Sequence, residues 1–266
     1  DTASIGSKTA CKAAVACSFL YGPMRSHVEG LRVVLSDGDV LSLARGDCMA
    51  KGRTFALKTE GGALIQGMLP TSFSAPDMKC TAGYFVDDSM DLLDLFIGSE
   101  GTLGVFSEMD ILLQPRPGVV CGVLCELPDV SAVPVFVQSL RKCASLKPLV
   151  AAIEYFDEKS IALLRERQAA GLYQELAIPK GEGVSAIYCE IHAQNDAGCM
   201  DAVEVMCDLL ESAGGNSEKA WFADTALDMH RMKIFRHAVP ESVNALVAEK
   251  RKTCSIIKKL GTDMVV

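Results

Sequence analysis

The sequence predicts a protein of mixed helices and strands that is divided into two domains. Within residues 28–43, two apolar runs flank Ser36-Asp37-Gly38, which is typical of a β-hairpin whose glycine takes the left-handed conformation of the turn. Further on, Gln114-Pro115-Arg116-Pro117-Gly118 carries two closely spaced prolines, which interrupt regular structure and form a semi-rigid linker. Strand-like and helix-like segments alternate after this linker. We therefore place a domain boundary there, with residues 1–116 before it and 117–266 after it.

The second domain alternates strands and helices along its whole length. Hydrophobic patterning predicts strands at 119–127, 150–156, 184–192 and 218–222, and helices at 130–145, 157–170, 196–213 and about 225–259. Asp129 and Asp196 suit helix starts, and Gly214-Gly215 suits a helix end. Such alternation is compatible with parallel βαβ units or with an antiparallel sheet, and periodicity leaves both open. No glycine-rich phosphate fingerprint opens these helices, so a Rossmann unit is not predicted. In the first domain, residues 87–97 predict a helix.

Composition excludes several classes of function. The chain has 266 residues, 49% of them hydrophobic, which is ample for two cores. A net charge of −8 is unfavourable for tracking phosphates, so we predict no nucleic-acid partner. No apolar run approaches the roughly 18 residues that a membrane span needs. The start of the sequence lacks the basic and apolar regions of a signal peptide.

The eleven cysteines point to a reducing compartment. They lie mostly in apolar runs, as at Cys121, Cys125, Cys189 and Cys207, and no CxxC pair or Cys/His cluster has the spacing of a zinc site. An odd number also argues against a fully paired disulfide framework. We predict buried free thiols, a cytoplasmic location, no metal site and no iron–sulfur cluster on this chain.

The most informative segment runs from Asp94 to Val105, with the sequence DLFIGSEGTLGV. Three glycines, Gly98, Gly101 and Gly104, lie between two apolar runs. Glycine tolerates positive φ and lets another group approach the backbone closely, so this loop could press its main chain against a large flat or charged ligand. A plain glycine-rich turn between two core strands fits the spacing equally well.

The sequence of the loop resembles the GSEGTLG segment of FAD-linked oxidases of the vanillyl-alcohol-oxidase/PCMH superfamily. The resemblance is to the group that contains glycolate oxidase, D-lactate dehydrogenase and D-2-hydroxyglutarate dehydrogenase. Three other stretches agree in the same order. Residues 21–38 resemble YGxTRDxVxGLxVVLxDG, residues 79–84 resemble K(N)TAGY, and residues 235–240 resemble the arginine-bearing helix of the substrate domain.

The resemblance implies an α+β fold. Residues 1–116 would be the C-terminal part of a PCMH-type FAD-binding domain. Residues 117–266 would be a ferredoxin-like cap domain, incomplete at its C-terminus, with an antiparallel sheet and helices on one face. Both ends of the chain look internal, so we expect a piece of a longer protein.

The resemblance also implies site residues. The candidate flavin contacts are Gly6, Lys79, Thr81, Gly83, Tyr84, Gly98, Ser99, Glu100, Gly101, Gly104 and Val105. Arg236 would bind the substrate carboxylate through its planar guanidinium fork, although most helix arginines are ordinary surface residues. The metal-binding and catalytic histidines of the family would lie beyond residue 266.

One segment departs from the family pattern. Residues 3–22 align with ASIGGNxATNAxGxxxxxYG, but Ser7, Lys8, Lys12 and Val15 stand where that pattern has Gly, Asn, Asn and Gly. Ser26 likewise replaces the Asp that follows the arginine. Side chains at former glycines would crowd a flavin. Because the upstream half of the flavin subdomain, with its pyrophosphate loop, also lies outside this chain, we expect the chain alone to bind no FAD and to be inactive.

The implied activity of the parent protein is FAD-dependent oxidation of a small 2-hydroxy acid such as D-lactate, glycolate or D-2-hydroxyglutarate. Hydride would pass to the flavin while a base outside this chain takes the hydroxyl proton. An iron–sulfur subunit or domain is a possible electron acceptor. The alternative is a scaffold subunit of an oxidoreductase complex that has kept the fold and lost the flavin, as the changes at Ser7, Lys8, Lys12 and Val15 would favour.

Overall fold

The computed structural model describes residues 3–14, 17–73, 76 and 80–253. The chain forms two compact units, Asp1–Arg116 and Pro117–Val266. Among the described residues, no helix is long and apolar enough to cross a membrane.

The described part of the first unit contains two small antiparallel sheets and three short α-helices. The helices are α1 (Ile5–Ala10), α2 (Ser18–Tyr21) and α3 (Leu93–Phe96). One sheet has the order β2-β1-β5 and is built from β1 (Val28–Val34), β2 (Val40–Ala44) and β5 (Val105–Ile111). The other is the hairpin of β3 (Thr54–Lys58) and β4 (Leu64–Met68). The β1–β2 hairpin confirms the prediction at residues 28–43, and Gly38 has a φ of 88° in its turn.

The core of the first unit lies under one face of β1 and β2. Val28, Val33 and Leu41 are fully or almost fully buried there, together with Leu93 and Ile97 from the segment that leads into the glycine loop. These apolar contacts anchor that loop on its N-terminal side.

The helix predicted at 87–97 is wrong except for α3. The backbone before α3 forms hydrogen bonds with a neighbouring segment: Ala50 N–H donates to the Met90 carbonyl at 2.8 Å, and Leu92 N–H donates to the Cys48 carbonyl at 2.8 Å. The Asp91 carboxylate also accepts from the Gly46 and Leu93 N–H groups at 2.7 and 3.0 Å. These tertiary bonds satisfy the backbone outside a helix.

Up to residue 253, the second unit is a four-stranded antiparallel sheet with four α-helices. Its strands have the order β7-β8-β6-β9 and are β6 (Val119–Leu127), β7 (Val150–Phe156), β8 (Ser185–Ala193) and β9 (Trp221–Ala223). The helices are α4 (Ala132–Lys142), α5 (Glu158–Ala169), α6 (Asp196–Ser212) and α7 (Ala226–Thr253). The predicted α+β class is confirmed, and the pairing left open by the sequence is antiparallel.

The helices cover both faces of this sheet, which corrects the expectation of helices on one face. On one face, Val123, Cys125 and Cys189 pack with residues of α4 and α6 such as Phe136 and Met206. On the opposite face lies α7, where the ring of Phe235 meets those of Phe156 and Trp221 at 5.0 and 6.5 Å between centroids. Accordingly, eight of the nine positions of β8 are buried.

Local capping explains where the predicted helices of this unit begin and end. The Asp129 carboxylate accepts from the backbone N–H groups of Ser131 and Ala132 at 2.7 and 3.2 Å, just before α4. Asn195, one residue before the expected start, caps α6 by accepting from Gly198 N–H at 2.9 Å. Gly214 follows α6 with a φ of 87°.

None of the ten cysteines that the structure describes forms a disulfide bond, and Cys254 lies outside the described residues. Burial raises the pKa of Cys121 and of Cys189 to about 12. The pKa of Cys143 is lowered instead, chiefly by its hydrogen bond with the Ser145 hydroxyl.

We expect these thiols to react at very different rates. In a Cys254→Ser background at neutral pH, an aromatic disulfide reagent should modify Cys11 and Cys143 within the first phase. Cys11 is exposed, and half-buried Cys143 has a lowered pKa that favours the reactive thiolate. Cys121 and Cys189 should react only after denaturant is added. Mass spectrometry of the modified peptides measures the order, and early labelling of Cys189 would contradict the buried sheet position.

Candidate functional site

The glycine loop of the first unit has an unusual backbone. Gly98, Gly101 and Gly104 have φ values of 91°, 80° and 154°, and Glu100 between them has a φ of 50°. Positive φ is strained for residues with a Cβ, so the glycines meet a conformational need at all three positions. Glu100 bears that strain without being a glycine, and strained residues of this kind cluster at functional sites.

This loop is fastened to the segment that departs from the family pattern. Gly98 N–H donates to the Thr9 carbonyl at 3.1 Å, and Glu100 N–H donates to the Ala10 carbonyl at 3.0 Å. The Tyr84 hydroxyl lies 2.6 Å from the Thr102 hydroxyl. The structure therefore joins the loop to α1, which contains the candidate Gly6, and to the candidate Tyr84.

The three glycines of the loop have different surroundings. A Cβ added at Gly104 would lie 2.6 Å from Val33 Cγ1 and 2.7 Å from the Val34 carbonyl oxygen, so this glycine serves close packing on β1. A Cβ at Gly98 would meet the Lys12 Cβ at 3.0 Å. A Cβ added at Gly101 would meet no atom within 4 Å, so that side of its backbone is open to another group.

The remaining candidate flavin contacts are spread over exposed positions. Thr81, Gly83, Tyr84, Glu100 and Val105 are exposed, whereas Ser99 is 2% exposed. Lys79 lies outside the described residues. Whether these residues contact a flavin stays a prediction.

A cationic cluster beside the loop was not among the predicted site residues. The Arg25 guanidinium lies 3.6 Å from the centroid of the Phe85 ring, and the Lys12 ammonium lies 5.7 Å from the same centroid. Lys12 is 7% exposed, and its pKa is lowered by burial and then by the nearby Arg25. Burial likewise lowers the pKa of Arg25, while Asp94, 3.9 Å from its Nε, acts in the opposite direction.

Two side chains of this region have buried polar atoms without a hydrogen-bond partner among the described residues. They are Nη1 and Nη2 of Arg25 and the Ser99 hydroxyl. Buried polar groups are normally paired, so these atoms fit a ligand that carries hydrogen-bond acceptors and negative charge. With the open backbone at Gly101, they fit part of a flavin nucleotide. Arg25 could have been found from the sequence, because it lies in the YGPMRS segment that carries the family resemblance.

The second unit holds the other candidate, Arg236 on α7. Its Nε donates to Glu154 Oε2 at 2.8 Å and its Nη2 donates to Glu154 Oε1 at 2.6 Å, which is a side-on pair of hydrogen bonds. Its Nη1 lies 3.7 Å from Glu190 Oε2, and its guanidinium carbon lies 4.8 Å from the centroid of the Tyr188 ring. Burial lowers the pKa of Arg236, but the bonds to Glu154 outweigh it and the net change is upward.

Arg236 lines a pocket of about 330 Å³ within this unit. The other polar residues that line it are Tyr188, Glu190, His230, Lys233 and His237. Glu190 is fixed on its strand, because the Tyr188 hydroxyl donates to its Oε2 at 2.6 Å and His192 Nε2 lies 2.8 Å from its Oε1. Burial, followed by the charge of Glu190, raises the pKa of Tyr188. A pocket with this lining offers cationic and hydrogen-bonding groups to a small anion.

Comparison with known proteins finds relatives among hydroxy-acid dehydrogenases. The chain is 31% identical over 206 residues to D-2-hydroxyglutarate dehydrogenase, mitochondrial, of Bos taurus, covering 77% of this chain and 29% of the relative. It is 29% identical over 152 residues to glycolate oxidase subunit GlcD of Bacillus subtilis (strain 168), covering 57% of this chain and 24% of the relative. It is also 28% identical over 205 residues to a probable D-lactate dehydrogenase, mitochondrial, of Danio rerio, covering 77% of this chain and 32% of the relative.

The solved structures agree on the fold. A structure of alkyldihydroxyacetonephosphate synthase matches with a TM-score of 0.54 and 13% identity, over 91% of this chain and 36% of that chain. Comparison with models of known protein families finds no match. The chain spans less than a third of the length of the three curated relatives above. The resemblance inferred from the sequence motifs is confirmed.

Proposed function

We propose, from the premise that the chain is a relative of the FAD-linked 2-hydroxy-acid dehydrogenases and oxidases, that its parent protein oxidises a small 2-hydroxy acid with FAD. By parent protein we mean a chain of the relatives' length that contains this segment. The observation that carries the proposal is the seating of the glycine loop on α1, with Gly98 and Glu100 bonded to Thr9 and Ala10. Two segments that resemble flavin-binding motifs thereby form one surface.

The residues of the first unit would bind the flavin nucleotide. Gly101 leaves its backbone open, and the unpaired groups of Arg25 and Ser99 would donate hydrogen bonds to acceptors of the nucleotide. When bound, FAD would accept the hydride from the substrate's α-carbon. Lys12, buried between Gly98 and Phe85, supplies a second positive charge near the same surface.

The second unit would bind the substrate through the pocket around Arg236. A small 2-hydroxy acid presents a carboxylate as its main polar group, and the guanidinium fork matches that group in shape and charge. His230, Lys233 and His237 line the same pocket and would add hydrogen-bond donors. The base that takes the hydroxyl proton is not among the residues we assign.

Electrons would leave the parent protein through an iron–sulfur subunit or domain. One relative, GlcD, is named a subunit of glycolate oxidase. Among the described residues, no three cysteine thiols lie close enough together to hold a metal cluster, so the cluster would belong to another polypeptide or domain. A cytoplasmic location stays a prediction, since two of the three relatives above are named mitochondrial.

One observation favours the alternative of a flavin-less scaffold subunit. The Lys12 side chain packs against Gly98, where the family pattern has a shorter asparagine at position 12. If that side chain fills the space that a flavin needs, the parent protein would keep the fold without the cofactor.

Purification of the parent protein after reconstitution with FAD decides between the two. We expect a yellow protein whose visible flavin absorbance bleaches under anaerobic conditions on addition of D-lactate, glycolate or D-2-hydroxyglutarate, with L-lactate as the control. A colourless protein would support the scaffold. A yellow protein that none of the three acids bleaches would show that the proposed substrate class is wrong.

A further inference from the structure

The two carboxylates around Arg236 are held in different ways. Glu190 has an 11% exposed side chain, and both of its oxygens are engaged by Tyr188 and His192. Glu154 has a 31% exposed side chain, and among the described residues Arg236 is the only hydrogen-bond donor to either of its oxygens. Glu190 is therefore a fixed carboxylate, and Glu154 is an exchangeable one.

The exchangeable carboxylate occupies the side-on edge of Arg236, one of the two edges on which a guanidinium binds a carboxylate through parallel hydrogen bonds. Glu154 takes both Nε and Nη2, the edge of the guanidinium that binds a carboxylate side-on. The remaining Nη1 lies 3.7 Å from Glu190, which is beyond hydrogen-bond distance. An external carboxylate can therefore form two parallel bonds with that edge only after Glu154 has moved away.

We propose that Glu154 competes with the substrate carboxylate for Arg236, so that binding a 2-hydroxy acid exchanges one carboxylate for another. The inference rests on the proposed function, which makes Arg236 the substrate-binding group. Glu154 lies on β7, an edge strand of the sheet, and its side chain is already partly in solvent. Because Arg236 is its only hydrogen-bond donor among the described residues, the release of Glu154 from Arg236 breaks no other hydrogen bond there.

The exchange makes Glu154 a specificity-determining residue. A carboxylate that replaces Glu154 keeps the half-buried guanidinium paired with a negative charge. A neutral alcohol of the same size gives no such compensation, so it would not displace Glu154. The pocket would therefore admit hydroxy acids and reject uncharged diols.

The competition between Glu154 and an external carboxylate sets how much the affinity of Arg236 for that carboxylate should change in a Glu154 variant. If the fork is open for about one tenth of the time, the apparent affinity for an external carboxylate is about tenfold weaker than the intrinsic one. Glu154→Gln keeps the size and one acceptor of the side chain but removes its charge, so it should recover about tenfold in affinity.

The test is a titration of the 266-residue chain with glycolate, followed by NMR of the arginine Nε–H signals. Loss of one signal in Arg236→Lys identifies the resonance of Arg236. We expect the dissociation constant for glycolate to fall about tenfold in Glu154→Gln relative to the unmodified chain. The matched control is Asp228→Asn, which breaks the 3.0 Å pair of Asp228 with Arg231 on the same helix and should change the constant less than about twofold. Ethylene glycol should shift the Arg236 signal in neither protein.

A second variant keeps the test decisive if Glu154→Gln fails to fold. Glu154→Asp keeps the charge but shortens the reach to Nε and Nη2, so it should give a smaller gain of about two- to fivefold. Equal glycolate affinity in the unmodified chain and in whichever of the two variants folds would overturn the inference. So would the absence of any shift at Arg236.

The outcome is separable from that of the proposed function. Tighter glycolate binding in Glu154→Gln, together with a parent protein whose flavin no hydroxy acid bleaches, would leave the exchange standing and remove the activity. If a hydroxy acid bleaches the flavin of the parent protein but Glu154→Gln binds glycolate no more tightly than the unmodified chain, the proposed activity would stand and the carboxylate exchange would be wrong.

Discussion

Gly104→Ala should destabilise the first unit by about 3 kcal/mol, because the added methyl group would be both conformationally strained and crowded. Gly104 has a φ of 154°, where a side chain is strained. The new Cβ would also lie 2.6 Å from Val33 Cγ1 and 2.7 Å from the Val34 carbonyl oxygen. The second contact is with the backbone of β1, in the middle of the β2-β1-β5 sheet, so it cannot be relieved by a rotamer change.

Gly101→Ala is the matched control in the same loop. Its φ of 80° brings a similar strain, but no atom lies within 4 Å of the added Cβ, so the cost should be only about 1 kcal/mol. Amide hydrogen exchange of β1 and β5 measures both variants in the unit concerned. Trp221, the only tryptophan and a residue of the second unit, should report unchanged fluorescence. Equal losses at the two glycines would show that packing on β1 is not what Gly104 provides.

Much of the second unit could be predicted from the sequence because its signals are local. The strands predicted at 119–127 and 150–156 match β6 and β7, since apolar runs there are bounded by proline, glycine and aspartate. The helix predicted at 87–97 was wrong because hydrogen bonds to residues 46–50, which no local pattern shows, hold that backbone outside a helix. The two covered faces of the sheet had a signal that could have been used, namely the nearly continuous apolar run of β6.

The sequence predicted which residue types belong to the candidate site, but it did not predict their contacts in the folded chain. The glycine positions with positive φ followed from the loop sequence, and the value at Gly101 agrees with that reasoning. The pairing of Arg236 with Glu154 joins residues 82 positions apart and depends on the register of β7 with β8 and on the packing of α7 over them. The burial of Lys12 against Gly98 is likewise a tertiary contact. The charge and shape of a site arise from such tertiary contacts. The sequence therefore indicated Arg236 as a candidate but could not show that Glu154 already accepts hydrogen bonds from its Nε and Nη2.

Arg236→Lys in the parent protein should raise KM for the hydroxy acid about tenfold, and Arg236→Met about a hundredfold, with a smaller effect on kcat. Lysine keeps the charge but replaces the planar fork by a point donor, so one of the two parallel bonds to the carboxylate is lost. Methionine removes both bonds and the charge, and it also leaves Glu154 and Glu190 without their shared cation, so that two carboxylates repel the substrate.

The control for these variants is Arg231→Lys, on the same helix and outside the pocket around Arg236. It should leave KM and kcat within about twofold, since its pair with Asp228 is a surface contact. The measurement is the initial rate of flavin reduction over a range of hydroxy-acid concentrations, with thermal unfolding of each variant to confirm that it folds. Because hydrogen bonds to a charged group are worth roughly 1.5–3 kcal/mol, a true carboxylate contact cannot be removed without a clear rise in KM. An Arg236→Met variant that folds and keeps its KM would assign the guanidinium a purely structural role, as the partner of Glu154.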